Sequence, residues 1–161
     1  MDYLWTPWRY KYVTEGERPS GCVFCNAAEG SDDRDTYIVH RASHNFVILN
    51  RFPYTNGHVM IVPYQHVSSL ALMTEESLLE MMRLARDAER HLRAVYHPDG
   101  LNLGVNLGRS AGAGIADHLH MHVLPRWAGD TNFMTVTGET RVLPEDLPDT
   151  WERLRAAWAA A

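Results

Sequence analysis

The chain has few cysteines, no long apolar run and no excess of positive charge. Its 161 residues contain two cysteines, Cys22 and Cys25, so a framework of disulfides is excluded as the source of its stability. No segment approaches the roughly 20 consecutive apolar residues that a membrane-spanning helix needs, and no internal repeat or low-complexity tract is visible. A chain of this length can bury a substantial core. We therefore expect one globular domain across residues 1–161.

The balance of charge and the N-terminal segment exclude further classes. A formal net charge of −5 argues against a sequence-independent grip on duplex nucleic acid, because such a grip depends on many Lys and Arg contacts to phosphates. Residues 1–13 are aromatic and basic, and they lack the apolar region and the small-residue cleavage site of a signal peptide. We expect a cytoplasmic protein that binds neither nucleic acid polymers nor membranes.

The two cysteines form a CxxC motif. The reducing cytoplasm disfavours a structural disulfide, and a single CxxC is weak evidence for either zinc or redox chemistry. A closed tetrahedral zinc site would need two further ligands, which can be histidines. The chain has nine histidines, and sequence spacing alone does not identify the pair.

Short strands and two helices are predicted along the chain. Apolar alternation bounded by turn residues predicts strands at residues 36–40, 45–50, 58–62 and 101–107. The clearest helix begins after Thr74, whose side chain is a good cap, and ends at the turn His97-Pro-Asp-Gly100. A last helix is predicted over residues 149–158. The sum is an α+β domain with a central antiparallel sheet.

One face of the long helix is predicted to be buried. Apolar side chains recur along it at three- and four-residue steps, with charged residues such as Glu80 on the opposite face. The predicted core residues are Leu78, Met81, Met82, Ala85, Ala88, Leu92 and Val95. The methionines are interpreted as core packing and not as cofactor contacts.

Three histidines, His118, His120 and His122, stand at alternating positions. In a β-strand their imidazoles would emerge on one side, and the three intervening apolar side chains on the other. Imidazole titrates near neutrality and can act as nucleophile, proton donor or metal ligand. A row of three therefore indicates a functional site; the alternative is a solvated strand face that is rich in histidine.

A glycine-rich segment, Gly108-Arg-Ser-Ala-Gly-Ala-Gly114, precedes the histidines. It lies between two predicted strands, so it is neither a Walker loop nor a dinucleotide fingerprint. The main-chain N–H groups of Gly112 and Gly114 can still approach an anion, and Asn106 and Ser110 add polar donors. The alternative is a tight turn. Beside a row of histidines, a phosphate site suggests attack on phosphorus.

The segment His118-Leu-His-Met-His-Val-Leu resembles the His-φ-His-φ-His-φ-φ signature (φ, apolar) of the histidine triad (HIT) superfamily of nucleotide hydrolases and transferases. Further segments match in family order, at residues 46–51, 56–63, 64–66 and 124–127. Residues 4–9 and 129–134 resemble the prokaryotic branch that includes diadenosine tetraphosphate phosphorylases. The resemblance implies an α+β, HIT-like fold: a five-stranded antiparallel sheet with one long helix and a C-terminal helix.

The resemblance also implies roles for individual residues. His120 matches the nucleophile that attacks the α-phosphorus and forms a covalent nucleotidyl-imidazole. His122 matches the histidine that contacts phosphate oxygens and assists the leaving group, and His58 completes the catalytic set. Asn50 corresponds to the position that holds the ribose hydroxyls, and Asn106 to one that contacts phosphate.

Two apolar residues and one departure concern the nucleotide pocket. Phe24 and Ile48 fall where the family encloses the base, and the alternative for both is plain core. Many family members carry Gln or Ser four residues before the first triad histidine, where this chain has Gly114. Main-chain N–H groups or Ser110 are candidate replacements, and the choice between water and phosphate as second acceptor stays open.

Zinc-containing family members join a CxxC to a histidine after the Pro-containing strand and to the first triad histidine. Those positions match Cys22, Cys25, His66 and His118. A closed zinc of this kind would be structural and would leave His120 free. Without zinc, His118 would instead form hydrogen bonds within the triad.

Three functions are consistent with these residues. We expect cleavage of the α-phosphate anhydride of a dinucleoside polyphosphate, such as diadenosine tetraphosphate, by hydrolysis or phosphorolysis. The alternatives are hydrolysis of adenosine 5'-phosphoramidates and a non-catalytic module that binds nucleotide or metal.

The expected partners are a nucleotide substrate and a second copy of the chain, in a homodimer or a larger assembly. A divalent cation is a further candidate, as a companion of the substrate's phosphates. Trp5, Trp8 and Tyr10 are candidate interface residues, with capping of their own domain's core as the alternative.

Overall fold

The computed structural model describes residues 21–130 and 145–160, and the fold within them is α+β. The helices are α1 (Val23–Glu29), α2 (Asp33–Thr36), α3 (Glu75–Tyr96) and α4 (Leu147–Ala159). The strands are β1 (Ile38–Arg41), β2 (Asn45–Leu49), β3 (Val59–Pro63), β4 (Gly100–Val105) and β5 (Met121–Arg126). Within these residues no helix combines the length and apolar character needed to cross a membrane. Trp5, Trp8, Tyr10 and the matched segment 4–9 lie outside the described residues, as does most of 129–134.

The described strands form one antiparallel sheet in the order β1-β2-β3-β5-β4. The expected five-stranded sheet, long helix and C-terminal helix are thereby confirmed. Because β5 inserts between β3 and β4, the residue His122 lies in the interior of the sheet, opposite Met60 on β3 and Gly104 on β4. β4 forms one edge of the sheet.

At β2 and β3 the sheet is covered on both faces, and every residue of these two strands is buried. On one face, side chains such as Val47 and Leu49 pack with α3 and α4 in the larger core. On the other face, Ile48 and Met60 join Phe24 of α1 in a smaller cluster. Because side chains alternate along a strand, the neighbours Ile48 and Leu49 enter different cores. The smaller cluster adjoins the candidate site.

Helix α3 begins and ends where the sequence predicts. The Thr74 side chain accepts a hydrogen bond from the Ser77 main-chain N–H at 3.2 Å, and His97 ends the helix in the left-handed conformation at φ 47°. The predicted buried face is wrong at two positions: Met82 is 56% exposed, and Leu84, which was not in the predicted set, is buried. Met82 directly follows the buried Met81, so the 100° step per residue turns it out of the stripe.

Glu80 does not lie on a merely solvated face. Its carboxylate accepts hydrogen bonds from the main-chain N–H groups of Ser43, His44 and Asn45, at 3.0, 2.7 and 2.8 Å. The Asn45 side-chain amide, itself fully buried, donates to the same carboxylate at 2.8 Å. Burial acts to raise the pKa of Glu80, but these donors outweigh it and lower the pKa below its usual value. Glu80 therefore fixes the β1–β2 turn to α3.

Several predicted boundaries shift. The strand predicted at 36–40 begins later than expected. Thr36 is the last residue of the short helix α2, which Asp32 caps, and Tyr37 follows in the left-handed conformation. The strand predicted at 101–107 ends at Val105, and a short 3-10 turn follows at Arg109–Ala111. The last helix covers Leu147–Ala159, so it begins two residues before the predicted start at 149 and directly after its Asp146 cap, with Pro148 in its first turn.

Candidate active site and metal cluster

The triad histidines share one face of the sheet, but only His122 lies within a strand. β5 begins at Met121, so His118 and His120 belong to the segment just before it. That segment is held by the Leu119 main-chain N–H, which donates to the Val67 carbonyl at 2.7 Å. Leu119 packs into the larger core, while His118 and His120 lie against Phe24 on the opposite face. The predicted alternation of side chains is therefore already present in the residues that precede the strand.

His118 has a defined protonation pattern. Its Nε2 lies 2.8 Å from the Pro63 carbonyl oxygen, which can only accept, so Nε2 carries the proton and Nδ1 has the lone pair. Nδ1 faces the sulfurs of Cys22 and Cys25, at 3.2 and 3.6 Å. Burial lowers the pKa of His118, which is 1% exposed. A neutral imidazole with its lone pair directed at two thiols is suited to metal binding.

Four residues form a cluster that can hold a metal ion. The candidate ligand atoms of Cys22, Cys25, His66 and His118 all lie within 4.8 Å of one another. Cys22 caps α1 and Cys25 lies in its first turn, while His66 Nδ1 is 3.3 Å from the Cys25 sulfur. Two sulfurs and two imidazole nitrogens are the ligand set of a closed tetrahedral zinc site. The four residues that the resemblance implied are thus brought together, and they fit a metal.

Arg41 on β1 anchors the helix that carries the cysteines. Its guanidinium donates to the carbonyl oxygens of Ala28 and Gly30 at 2.8 and 3.0 Å, and to the Asp33 carboxylate at 2.8 Å. These carbonyls lie at the C-terminal end of α1, where helix carbonyls have no partner within the helix. No local sequence pattern indicated this role, because the carbonyls of Ala28 and Gly30 lie 13 and 11 positions from Arg41.

His120 presents a lone pair on the nitrogen away from the main chain. Its Nδ1 lies 2.9 Å from the His118 carbonyl oxygen, so Nδ1 carries the proton and Nε2 has the lone pair. The residue is buried, and burial lowers its pKa, opposed by the hydrogen bond to that carbonyl. The ring of Phe24 lies 5.0 Å from that of His120. A neutral, oriented imidazole is able to act as a nucleophile.

His58 and His122 form a side-chain pair under the ring of Tyr54. His58 Nε2 and His122 Nδ1 are 2.9 Å apart, and the Tyr54 ring lies 4.9 Å from His58 and 6.2 Å from His122. Burial, with a smaller effect from His120, lowers the pKa of His122 to about 4. Tyr54 was not among the predicted site residues. Its signal is its place in the loop that leads into His58.

Three of the predicted nucleotide contacts lie in two places, the small core cluster and the loop beside the histidine pair. Phe24 and Ile48 are 3% and 6% exposed and lie in the same small core cluster. The Asn50 side chain accepts from the Phe52 main-chain N–H at 3.0 Å, and its Nδ2 is 3.3 Å from His58 Nδ1. Asn50 is thus joined to the histidine pair.

The glycine-rich segment forms a turn at the protein surface. The Gly112 main-chain N–H donates to the Arg109 carbonyl at 2.9 Å, with Gly112 at φ 91°. Ser110 and Gly114 are exposed and Asn106 is half-buried. The segment therefore forms the tight turn that was one of its two predicted roles. Phosphate binding by it stays a prediction.

Comparisons with known proteins show which family the chain belongs to. The family model described as the HIT domain matches residues 32–129. The chain is 40% identical to the AP-4-A phosphorylase of Mycobacterium tuberculosis, over 99% of this chain and 85% of that protein. A Zn-bound histidine triad family protein from Mycobacterium smegmatis superposes with a TM-score of 0.70, at 29% identity over 87% of this chain and 94% of that one.

A second solved structure, a histidine triad nucleotide-binding protein from Sulfolobus tokodaii, has a TM-score of 0.68 at 26% identity, over 86% of this chain and 93% of that one. The family model covers more than half of the chain, and the tuberculosis relative is similar along nearly all of it. The chain belongs to the HIT domain family.

Proposed function

We propose that this protein is an enzyme that cleaves the α-phosphate anhydride of dinucleoside polyphosphates such as diadenosine tetraphosphate, through a covalent nucleotidyl-His120 intermediate. The observation that carries the proposal is the hydrogen bond from His120 Nδ1 to the His118 carbonyl at 2.9 Å. It leaves the Nε2 lone pair as the attacking group. The similarity to an AP-4-A phosphorylase at 40% identity supports the substrate class.

The reaction proceeds in two displacements. His120 Nε2 attacks the α-phosphorus, a P–N bond forms, and the bond to the bridging oxygen breaks, so that the nucleoside polyphosphate departs with that oxygen. The ring of His120 becomes positively charged, and the His118 carbonyl stabilises it by accepting from Nδ1–H. Water or inorganic phosphate then attacks the same phosphorus and releases a nucleoside mono- or diphosphate.

The neighbouring residues bind and orient the substrate. With its pKa at about 4, His122 is uncharged near neutrality and donates an imidazole N–H to the phosphates, and His58 holds it in place. A divalent cation accompanies the polyphosphate. The proposed nucleotide contacts are Asn50 to ribose, Asn106, Ser110, Gly112 and Gly114 to phosphate, and Phe24 and Ile48 to the base.

We further propose that the metal cluster binds zinc in a structural role. The donor set of Cys22, Cys25, His66 and His118 supports zinc, as does the Zn-bound relative from Mycobacterium smegmatis. Four protein ligands leave no open coordination position, so bound zinc would supply rigidity and not Lewis-acid chemistry. The residue His118 connects the two sites, because its ring faces the thiols and its carbonyl orients His120.

We propose a single domain over residues 1–161 that acts in the cytoplasm as a homodimer or larger assembly. β4 is an edge strand, and Leu103 on it and Leu107 beyond it are 48% and 46% exposed. Open strand edges with apolar side chains favour association with another chain.

Leu103→Glu is expected to shift the protein to a smaller species, measured by sedimentation, while Leu103→Val retains the assembly. A wild-type monomer at assay concentrations would contradict the proposal.

Product analysis tests the reaction. Diadenosine tetraphosphate is incubated with the enzyme, with and without inorganic phosphate, and products are identified by mass. Hydrolysis yields AMP and ATP, whereas phosphorolysis yields ADP and ATP. Turnover of adenosine 5'-phosphoramidate alone would favour the phosphoramidase, and binding without turnover of either substrate would favour the non-catalytic module.

His120→Ala tests the mechanism. We expect turnover to fall by at least about a thousandfold, because removal of the nucleophile leaves only the binding contributions, while nucleotide binding and metal content stay at wild-type levels. His44→Ala, which changes an exposed histidine away from the site, is the matched control and retains activity. Wild-type turnover by His120→Ala would exclude the covalent mechanism.

A further inference from the structure

His58 is hydrogen-bonded at both ring nitrogens. The Tyr54 main-chain N–H donates to Nδ1 at 3.2 Å, and the Asn50 Nδ2 amide lies 3.3 Å from the same nitrogen. The orientation of that amide is fixed, because its Oδ1 accepts from the Phe52 N–H at 3.0 Å. Amide N–H groups can only donate, so His58 Nδ1 carries no proton and the neutral ring holds its proton on Nε2.

The protonation pattern of His58 determines that of His122. His58 Nε2–H donates to His122 Nδ1 at 2.9 Å, so His122 Nδ1 is an acceptor and its single proton is on Nε2. A second proton on His122 would place an N–H on Nδ1, directly facing the N–H of His58. The hydrogen bonds therefore run in one direction, from Tyr54 through His58 and His122 to the substrate.

This direction has a consequence for proton transfer. If His122 gave its Nε2 proton to a departing oxygen and regained one from His58, then His58 would be left with no proton on either nitrogen. The donors that the structure places at its Nδ1, the Tyr54 and Asn50 amides, do not release protons in the physiological range. We propose that the His58–His122 pair donates a hydrogen bond to the departing phosphate without transferring a proton, and that Tyr54 is the positioning residue that fixes both tautomers.

The loop that carries Tyr54 is firmly anchored. The Thr55 hydroxyl donates to the Pro125 carbonyl on β5 at 2.9 Å. Gly57 has φ +75°, and a Cβ on it would lie 2.9 Å from the Tyr96 ring of α3. The ring of Tyr54 is within 26° of parallel to that of His122 and covers the pair. The amide is therefore held in place by contacts outside the site.

The proposed leaving group can depart without receiving a proton. In the proposed reaction the bridging oxygen departs as part of a phosphate, whose second pKa is about 6, so it can leave as an anion. The electron pair of the broken P–O bond stays on that oxygen, and the N–H of His122 stabilises the charge. The inference rests on the proposed function only in naming this leaving group, since the tautomers are properties of the free protein.

Nitrogen NMR of the 15N-histidine-labelled protein tests the tautomers directly. We expect His58 and His122 each to show a protonated Nε2 and an unprotonated Nδ1 at neutral pH. A protonated Nδ1 on either residue would overturn the proposal. The measurement needs no substrate, so it is decided separately from the proposed reaction; failure to cleave any dinucleotide would refute that reaction and leave this result intact.

Two variants of Tyr54 separate the amide from the ring. Tyr54→Ala keeps the main-chain N–H and is expected to retain both tautomers. Tyr54→Pro removes that N–H but keeps the Asn50 amide at Nδ1, so a part of the His58 population should move its proton to Nδ1. Tyr54→Phe, which keeps both the amide and an aromatic ring over the pair, is the conservative variant and should show the wild-type tautomers. Retention of the wild-type tautomers in a folded Tyr54→Pro protein would refute the role of the amide.

The solvent isotope effect tests proton transfer during the reaction. In single turnovers of diadenosine tetraphosphate by the wild type, nucleotidylation is expected to proceed at nearly the same rate in H2O and D2O. A large normal isotope effect would show a proton in flight and overturn the proposal. This measurement and the wild-type tautomers decide the question even if Tyr54→Pro does not fold.

Discussion

At the scale of the residue, the three triad histidines differ in what each ring nitrogen faces. His118 directs Nδ1 at the cysteines and His120 keeps Nδ1 for a main-chain carbonyl, whereas His122 accepts at Nδ1 from His58. The partner that fixes the proton is a main-chain carbonyl for His118 and His120. Identical side chains thus acquire different chemistry from fixed donors and acceptors around them.

Gly57 provides a prediction at this scale. Gly57→Ala places a Cβ 2.9 Å from the Tyr96 ring at φ +75°, and both the contact and the conformation are unfavourable for alanine. We expect the free energy of unfolding to fall by about 1–3 kcal/mol, measured by urea denaturation. Nucleotide turnover should also fall, because the loop that holds His58 is displaced.

The matched control is Gly100→Ala. A Cβ at Gly100 meets nothing within 4 Å, so this variant should remain within about 0.5 kcal/mol of the wild type. Equal stability of the two variants would mean that the loop accommodates alanine and is not rigid at Gly57.

At the scale of the element, α1 depends on contacts from outside itself. It has seven residues and no side-chain cap at Cys22, and helices this short are unstable alone. Arg41 binds the carbonyls at its C-terminal end, and Phe24 packs between it and the histidines. The arrangement of the two thiols is therefore a property of the tertiary structure.

Arg41→Ala is predicted to weaken metal retention. Loss of the guanidinium leaves helix carbonyls and the Asp33 carboxylate without this partner, which should lower the free energy of unfolding by about 1–3 kcal/mol. Bound zinc should then be removed by lower chelator concentrations, measured with a colorimetric zinc indicator.

Arg34→Ala is the control for removal of a guanidinium. Arg34 pairs with Glu152 on the exposed surface at 2.7 Å, where ion pairs contribute little, so its zinc retention should equal that of the wild type. Unchanged chelator sensitivity in Arg41→Ala would show that α1 is held by the metal and core contacts alone.

At the scale of the whole molecule, α4 closes the domain against β1 and α3. Trp158 of α4 lies between His40 and His91, with ring centroids 6.3 and 4.4 Å away. Burial lowers the pKa of both histidines; Arg155 lowers that of His40 further, and the nearby Asp87 acts against both shifts. The packing of β1, α3 and α4 thus favours the uncharged form of both imidazoles.

Stability is predicted to depend on pH through these histidines. Their pKa values are below the unfolded value of about 6.5, so the unfolded chain takes up protons first as the pH falls. Their contribution to the free energy of unfolding should be constant above that pH and decline below it, at less than about 1.4 kcal/mol per pH unit per histidine. Solvent access to the half-exposed rings reduces the slope further.

Urea denaturation of the metal-saturated protein across this pH range checks the prediction. The double variant His40→Gln, His91→Gln should decline less steeply than the wild type, and His44→Gln serves as the control for an exposed histidine. Parallel decline of the wild type and the double variant would assign the pH dependence to other groups.

Much of the fold follows from local patterns. The strands β2 and β3 lie within one residue of their predicted limits, and α3 follows its Thr74 cap, because alternation and capping act over neighbouring residues. The short helices α1 and α2 were not predicted, and Met82 was placed in the core although it is exposed. Helices of a few residues depend on contacts with distant parts of the chain, which local patterns do not show. An apolar residue beside a buried stripe, such as Met82, looks like a core residue from its chemical type although it is exposed.

The candidate site, like the fold, has features that local sequence patterns predict and features that depend on distant contacts. The sequence by itself determined which residues are chemically able to act, since a CxxC and alternating histidines are local patterns, and the family resemblance assigned them to two groups. Only the tertiary structure decided the protonation of each ring, because the Pro63 carbonyl is 55 positions from His118 and the His58 ring is 64 positions from His122. A hydrogen-bond donor or acceptor acts only within about 3 Å, and folding alone brings such distant groups to that distance.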